Sequence, residues 1–171
     1  MSAPPSPPPV PAPVPSRRVV LIKNPRSLVR RLMRHAGDGP LPILALRVQD
    51  RAREEVREVL STDGFDEHRL YVLELAGSRP RIKIGYSSDP WGRIAQHVRQ
   101  ANQWYHTLIR AHVSEPLHDK DSGKQAEDTA LAFMRRLYPE AAPSSREFFL
   151  GTDFRAGKTC VEVAVSLTNY T

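Results

Sequence analysis

Two β-rich runs constrain this chain most: Leu70-Tyr71-Val72-Leu73-Glu74-Leu75 and Arg81-Ile82-Lys83-Ile84-Gly85-Tyr86, separated by Ala76-Gly77-Ser78-Arg79-Pro80. Apolar and aromatic segments joined by a Gly/Pro-containing turn predict a hairpin. A turn centred on Ser78 sets Tyr71 opposite Gly85 and Leu73 opposite Lys83. Because side chains alternate between the faces of a strand, Tyr71, Leu73 and Lys83 then share one face. A slip of one residue would destroy that grouping.

Downstream, Asp89-Pro90 predicts a helix start, with Asp89 as N-cap and Pro90 at the first helical position. In that helix Trp91, Ile94, Ala95 and Val98 form one apolar stripe, and Arg93 and His97 stand four apart on another face. A third strand is expected over Trp104 to Val113. Ser122 and Gln125 have capping-box spacing and open a helix running to about Tyr138, buried through Ala126, Ala130, Phe133, Met134 and Leu137. Glu127 lies on the row of Leu131 and Met134, and a carboxylate bordering an apolar stripe needs a partner or a metal. Thr159 to Leu167 alternates polar or small residues with Val161, Val163, Val165 and Leu167, which predicts a half-buried strand. The expected fold is a small α+β domain, an antiparallel, mainly three-stranded sheet flanked by helices.

Upstream of the hairpin the composition changes. Eight of the 16 prolines fall within Met1 to Pro15, a stretch without a charged side chain, so residues 1–16 are expected to be a disordered Pro-rich tail. Residues 17–68 are a basic N-terminal region of unassigned function and 69–171 the hairpin-containing domain. In the former, Leu41 to Val48 reads as a short strand and Gln49 to Leu60 as a charged helix with Val56, Val59 and Leu60 on one side. A chain of 171 residues has room for one core of this kind plus appendages.

Arg17, Arg18, Lys23, Arg26, Arg30, Arg31 and Arg34 are unbroken by any acidic residue. Ser27 can cap a short helix there, with Leu28, Leu32 and Val29 on one face and Arg30, Arg31 and Arg34 on the other. This cluster reads either as a phosphate-contacting arm or as a solvated helix face. The overall bias of 20 Arg to 5 Lys suits bidentate phosphate recognition, and equally a GC-rich genome. A signal peptide places basic residues before an apolar run, whereas here prolines come first, so secretion is not expected. No apolar run approaches the roughly 18 residues of a membrane span, so no membrane partner is expected. The lone Cys160 excludes an internal disulfide and a cysteine-based zinc site, which suits a reducing, cytoplasmic setting.

Tyr71, Lys83-Ile84-Gly85-Tyr86-Ser87, Arg93, His97, Glu127 and Arg146-Glu147-Phe148-Phe149, in this order and spacing, resemble the GIY-YIG nuclease superfamily. The nearest likeness is the phage and bacterial branch with Lys-Ile-Gly as second half-motif and a Glu-Trp-Phe-like closing signature. It covers roughly Leu70 to Leu150. The resemblance implies a metal-dependent endonuclease acting on DNA, RNA not being excluded, with Mg2+ or Mn2+ as cofactor. It makes Tyr71 the tyrosine beside the attacked phosphate, Arg93 the phosphate-binding arginine and His97 a residue that bonds the tyrosine or assists proton transfer. Glu127 becomes the metal-holding carboxylate. Lys83 stands where the family usually has its second tyrosine, and Phe148 where the branch commonly has Trp; Glu147 and Phe148 read as mainly architectural.

The chemistry is consistent with those roles. Phosphodiester hydrolysis needs a positioned water, a proton acceptor and positive charge where negative charge accumulates. Arg93 offers a planar fork for phosphate oxygens, and one glutamate with several waters is a common magnesium arrangement. A tyrosine is a poor base unless cations such as Lys83 and the metal lower its pKa; alternatively a desolvated Lys83 is itself the base. The competing reading is a nucleic-acid-binding module that keeps the fold without turnover, favoured by Lys83 in place of a tyrosine. A third assigns the Pro-rich tail to a protein partner.

Overall fold

The computed structural model describes residues 24–36, 39–141 and 147–170. The Pro-rich tail, Arg17, Arg18, Lys23 and Arg146 lie outside them. The architecture is α+β. In chain order it comprises α1 (Pro25–His35), α2 (Ile43–Asp63), β1 (Arg69–Ala76), β2 (Arg81–Ser87), α3 (Pro90–Gln103) and β3 (Thr107–Val113). There follow α4 (Lys120–Leu137), a short 3-10 turn (Pro139–Ala141), β4 (Phe148–Leu150) and α5 (Phe154–Asn169).

The sheet has four strands, not three, in the order β3-β1-β2-β4, and every neighbouring pair is antiparallel. The added strand, β4, is only three residues long and pairs with the outer edge of β2, Phe148 opposite Lys83. The β1–β2 register is the one expected, with Tyr71 opposite Gly85 and Leu73 opposite Lys83. Hydrogen-bonded on both edges and covered on both faces, β1 is buried along its whole length. On one face Tyr71, Leu73 and Leu75 pack with Ala52, Val56 and Leu60 of α2 and Ile94 and Val98 of α3. On the other, Leu70, Val72, Ile82, Ile84 and Phe149 meet α4 and α5.

Two segments expected to be strands are helical. Leu41 to Val48 runs into α2, whose Ala45, Val48, Ala52, Val56 and Leu60 are buried at three- and four-residue spacing. Thr159 to Leu167 lies within α5, where Gly157, Cys160, Val161, Ala164 and Val165 make the buried stripe and Val163 and Leu167 are exposed. A short alternation of valines with small residues is compatible with either period; burial at i, i+3 and i+4 shows which one the fold uses. Val59 and Leu137, expected inside, are exposed as well. Asn24, rather than Ser27, caps α1, and Asp119, rather than Ser122, caps α4; in each case the serine supplies the backbone N–H that the cap accepts. Asp89 and Pro90 start α3 as expected.

The described part of the basic N-terminal region is built onto the sheet. Val29 and Met33 of α1 share a buried cluster with Ala45 and Val48 of α2, Ala76 of β1 and Ile109 of β3. Two of its arginines hold it there. Arg26 pairs with Glu55 of α2 at 2.6 Å, and Arg30 grips both carboxylate oxygens of Glu74 at 2.7 and 2.9 Å. Glu74, on β1 and 8% exposed, also receives Arg110 of β3 at 3.5 Å. Arg31 and Arg34 remain exposed. Among the described residues, no helix is long and apolar enough to cross a membrane.

Truncating Glu74 would leave Arg30 and Arg110 without their shared counter-ion. Glu74→Ala is expected to cost about 2 kcal/mol, read as a lower urea midpoint with an unchanged slope; an unchanged midpoint would show that the Glu74 pairs do not help to hold α1.

Candidate active site

The site begins with the hairpin register. Gly85 has no side chain, and the Tyr71 ring lies across it: a Cβ at position 85 would stand 2.3 Å from the Tyr71 hydroxyl. That hydroxyl reaches His97 Nε2 at 2.9 Å, with the two rings tilted at 45°. His97 is 8% exposed, turned toward the sheet by its place one turn beyond Arg93 on α3. Arg93 itself is exposed, donates to Gln96 at 2.7 Å and lies close enough to the Tyr71 phenol for its charge to act on it.

Lys83 projects from the same sheet face, 1% exposed. Its ammonium pairs with Glu147 and sits 4.7 Å from the centre of the Phe148 ring. Glu147, read from the sequence as architectural, thus enters the cluster. It does so because β4 pairs beside β2, where the Ile84 backbone N–H bonds to the Glu147 carbonyl at 3.1 Å. Recognition of Phe148–Leu150 as an edge strand would have pointed to it. Glu127, half-buried on α4, feels the charges of both Glu147 and Lys83. Gly123 one turn earlier makes room for Tyr86, whose ring would lie 2.1 Å from a Cβ there.

The fold therefore brings Tyr71, Lys83, Arg93, His97 and Glu127 into one electrostatically connected group, with Glu147 added. It does not bring in the basic segment as a unit, since Arg26 and Arg30 are spent on internal ion pairs.

Electrostatics divide the group into neutral and charged members. Burial pushes the Tyr71 phenol up to about 12; Arg93 opposes this, and Glu147 and Glu127 reinforce it. Burial, then Lys83 and Arg93, push the His97 imidazole down to about 4, against Gln100 and Glu147. Tyr71 is thus a protonated phenol near neutrality and His97 a neutral ring. The arrangement satisfying both has Tyr71 donating to the Nε2 lone pair of the neutral ring. Burial, then Glu147, hold the Glu127 carboxyl above its ordinary value. Burial also favours a higher value at Glu147, but Lys83, Arg93 and His97 together outweigh it and hold that carboxyl below the usual range.

A half-buried carboxylate whose ionised form is opposed by burial and by a second carboxylate fits a divalent cation, which would reverse both effects. Among the described residues there is no group of three or more His, Cys, Asp or Glu arranged to hold a metal. Glu127 and Glu147 are the two carboxylates that a cation at this place would meet.

Comparison of the chain with protein-family models, with curated proteins and with solved structures gave no match.

Two outcomes follow from this geometry. An unfolded histidine takes up a proton near pH 6.5, whereas folded His97 resists until about 4. In that window the unfolded state binds more protons, so stability is full above pH 6.5 and falls as pH drops toward 4. His97→Gln should therefore lose less stability than wild type between pH 7 and pH 5 in urea titrations. Part of the slope should remain, because burial and Lys158 also push His112 down to about 4. Equal slopes in the two proteins would contradict the burial argument. Separately, Gly85→Ala should drive the phenol off His97 and break their hydrogen bond, followed through the Tyr71 and His97 ring-proton NMR shifts.

Proposed function

We propose that this chain is a metal-dependent endonuclease of GIY-YIG type that hydrolyses phosphodiester bonds in DNA. The observation carrying this reading is the Tyr71 hydroxyl, 2.9 Å from a neutral His97, with Arg93, Lys83, Glu127 and Glu147 all acting on the same pair. Water attacks phosphorus, one P–O ester bond breaks, and the proton of the attacking water has to go somewhere. Tyr71 takes it as it hands its own hydroxyl proton to His97 Nε2, so no free phenolate forms. The gap between about 12 and about 4 disfavours this transfer in the absence of substrate. A bound phosphate changes that: its negative charge offsets Lys83 and Arg93, two of the three causes that hold His97 low.

Arg93, exposed and forked, binds the non-bridging phosphate oxygens. Lys83, its ammonium engaged by Glu147, acts through its charge rather than as the base. Glu127, with Glu147 nearby, would hold Mg2+ or Mn2+, which when bound supplies Lewis-acid stabilisation of the developing negative charge. Arg31 and Arg34 add nonspecific attraction for the backbone, which makes binding salt-sensitive.

The test is nicking of supercoiled plasmid with magnesium or manganese. Glu127→Ala, Arg93→Ala and Tyr71→Phe are each expected to lower the rate at least about 100-fold. Wild-type rates in Glu127→Ala and Arg93→Ala would overturn the mechanism. Salt-sensitive, metal-independent DNA binding without cleavage of any DNA or RNA substrate would instead establish a binding module, the outcome expected if lysine cannot replace the second tyrosine.

A further inference from the structure

Next to the Tyr71–His97 pair lies a cleft of about 370 Å3 that His97 and Lys83 border on one side. Its other walls come from the end of α3, the following turn, β2 and β4, through Gln100, Trp104, Arg81, His106 and Phe148. Two features of these walls are left partly unanswered within the folded chain.

The first is Trp104, whose side chain is left 74% exposed by a turn built with some care. Its backbone N–H bonds to the Ala101 carbonyl at 3.0 Å, its own carbonyl accepts His106 Nδ1–H at 2.7 Å, and the next residue, Tyr105, takes φ 56°. A left-handed tyrosine costs energy, and here it lets the turn reverse so that His106 packs inward while the indole stays out. Gly77 is part of the same construction, since a Cβ there would lie 2.3 Å from the His106 ring.

The second is Arg81. With Nδ1–H committed to Trp104, His106 is left with its Nε2 lone pair, which accepts an Arg81 N–H at 2.9 Å. The guanidinium also lies 5.6 Å from the centre of the Phe148 ring. Among the described residues no carboxylate pairs with it, and its buried Nε has no hydrogen-bond partner. Burial lowers its pKa, as expected for a cation without a counter-ion.

An exposed indole, an uncompensated guanidinium and a side-chain amide around a cleft of this size suit a ligand with a flat ring, hydrogen-bonding edges and an anionic group. We propose that the cleft takes one unpaired nucleotide adjoining the scissile phosphate, its base against Trp104, its base edge toward Gln100 and its own phosphate on Arg81. The proposal rests on the nuclease reading and narrows its substrate class. A base paired and stacked inside a duplex cannot reach Trp104 without leaving the helix. The preferred substrate is therefore DNA with unpaired nucleotides at the cut: single strands, flaps or gaps.

The experiment uses the full chain in EDTA, so that binding is read without cleavage. Trp91 and Trp104 are the two tryptophans, so Trp91→Phe leaves Trp104 as sole reporter. Unlabelled oligothymidylate should quench its emission, and a duplex of equal length should do so far less. In the otherwise wild-type chain, Trp104→Ala should weaken oligothymidylate binding about tenfold by anisotropy, with duplex binding unchanged, and Trp104→Phe should recover most of the loss. Arg81→Gln should weaken single-strand binding and reduce its salt dependence. Failure of wild-type protein to bind oligothymidylate, or equal affinity in Trp104→Ala, overturns the subsite. Quenching at Trp104 in a protein that never nicks DNA keeps the subsite and removes the nuclease reading; nicking of duplex with Trp104 silent does the reverse.

Discussion

The pairing of Tyr71 with Gly85 governs this structure more than any other contact. A tyrosine fully inside a central strand has nowhere to put its hydroxyl unless the opposed position gives up its side chain, and Gly85 does so. The phenol can then lie flat across β2 and emerge at His97. The same register puts Lys83 two residues along on that face and sets Phe148, its β4 partner, beneath the ammonium. Moving β1 by one residue against β2 would send Tyr71 into the α4–α5 core and bring Val72 to the α2–α3 side, away from Lys83. The backbone ladder that stabilises the sheet therefore also sets the positions of the chemically active groups.

Charge is distributed by a comparable economy. The segment richest in arginine is also the one that has to be fastened to the sheet, and it uses Arg26 and Arg30 for that purpose. Glu74 collects Arg30 and Arg110 from opposite sides, so α1, β1 and β3 meet at one carboxylate. Elsewhere Arg69, fully buried, closes the junction between α2 and β1 by donating to the carbonyls of Ser114 and Asp63. Arginine in this chain is as much a structural tie as a surface charge, and the net charge of +6 does not measure what is offered to an anionic partner.

What was legible in the sequence was local. The hairpin could be registered because its turn is short and both strands show their inward residues, and α3 could be started because Asp89-Pro90 is a strong signal. Tyr71, Lys83, Arg93, His97 and Glu127 were grouped by the resemblance to a known family, and how closely they meet depends on tertiary packing. The failures lie where one-dimensional pattern underdetermines period or partner. Eight residues of alternating valine in α5 look like a strand until the stripe from Gly157 to Val165 is seen against Val72 and Ile82. β4 is too short to register as a strand, and without it Glu147 has no visible reason to approach Lys83. The separation of residues 17–68 from the rest followed composition, whereas Val29, Met33, Ala52 and Leu60 show that the core crosses that boundary.

The balance of charge within the candidate site bears on how the proposed chemistry would be switched on. Lys83 and Glu147 neutralise one another, Arg93 and Glu127 are the remaining pair of opposite sign, and Tyr71 and His97 are neutral. A site so balanced exerts little long-range pull on a polyanion, so any such pull would come from cations outside it, such as Arg81 at the rim. Its readiness for proton transfer is likewise conditional. Lys83 and Arg93 are the two cations that help hold His97 low, so under the proposed function a phosphate held by Arg93 would offset their charge and raise the basicity of the imidazole. Under that reading, binding and activation would be one electrostatic event. A phosphate placed too far from Arg93 and Lys83 would leave the Tyr71–His97 pair a structural hydrogen bond and nothing more.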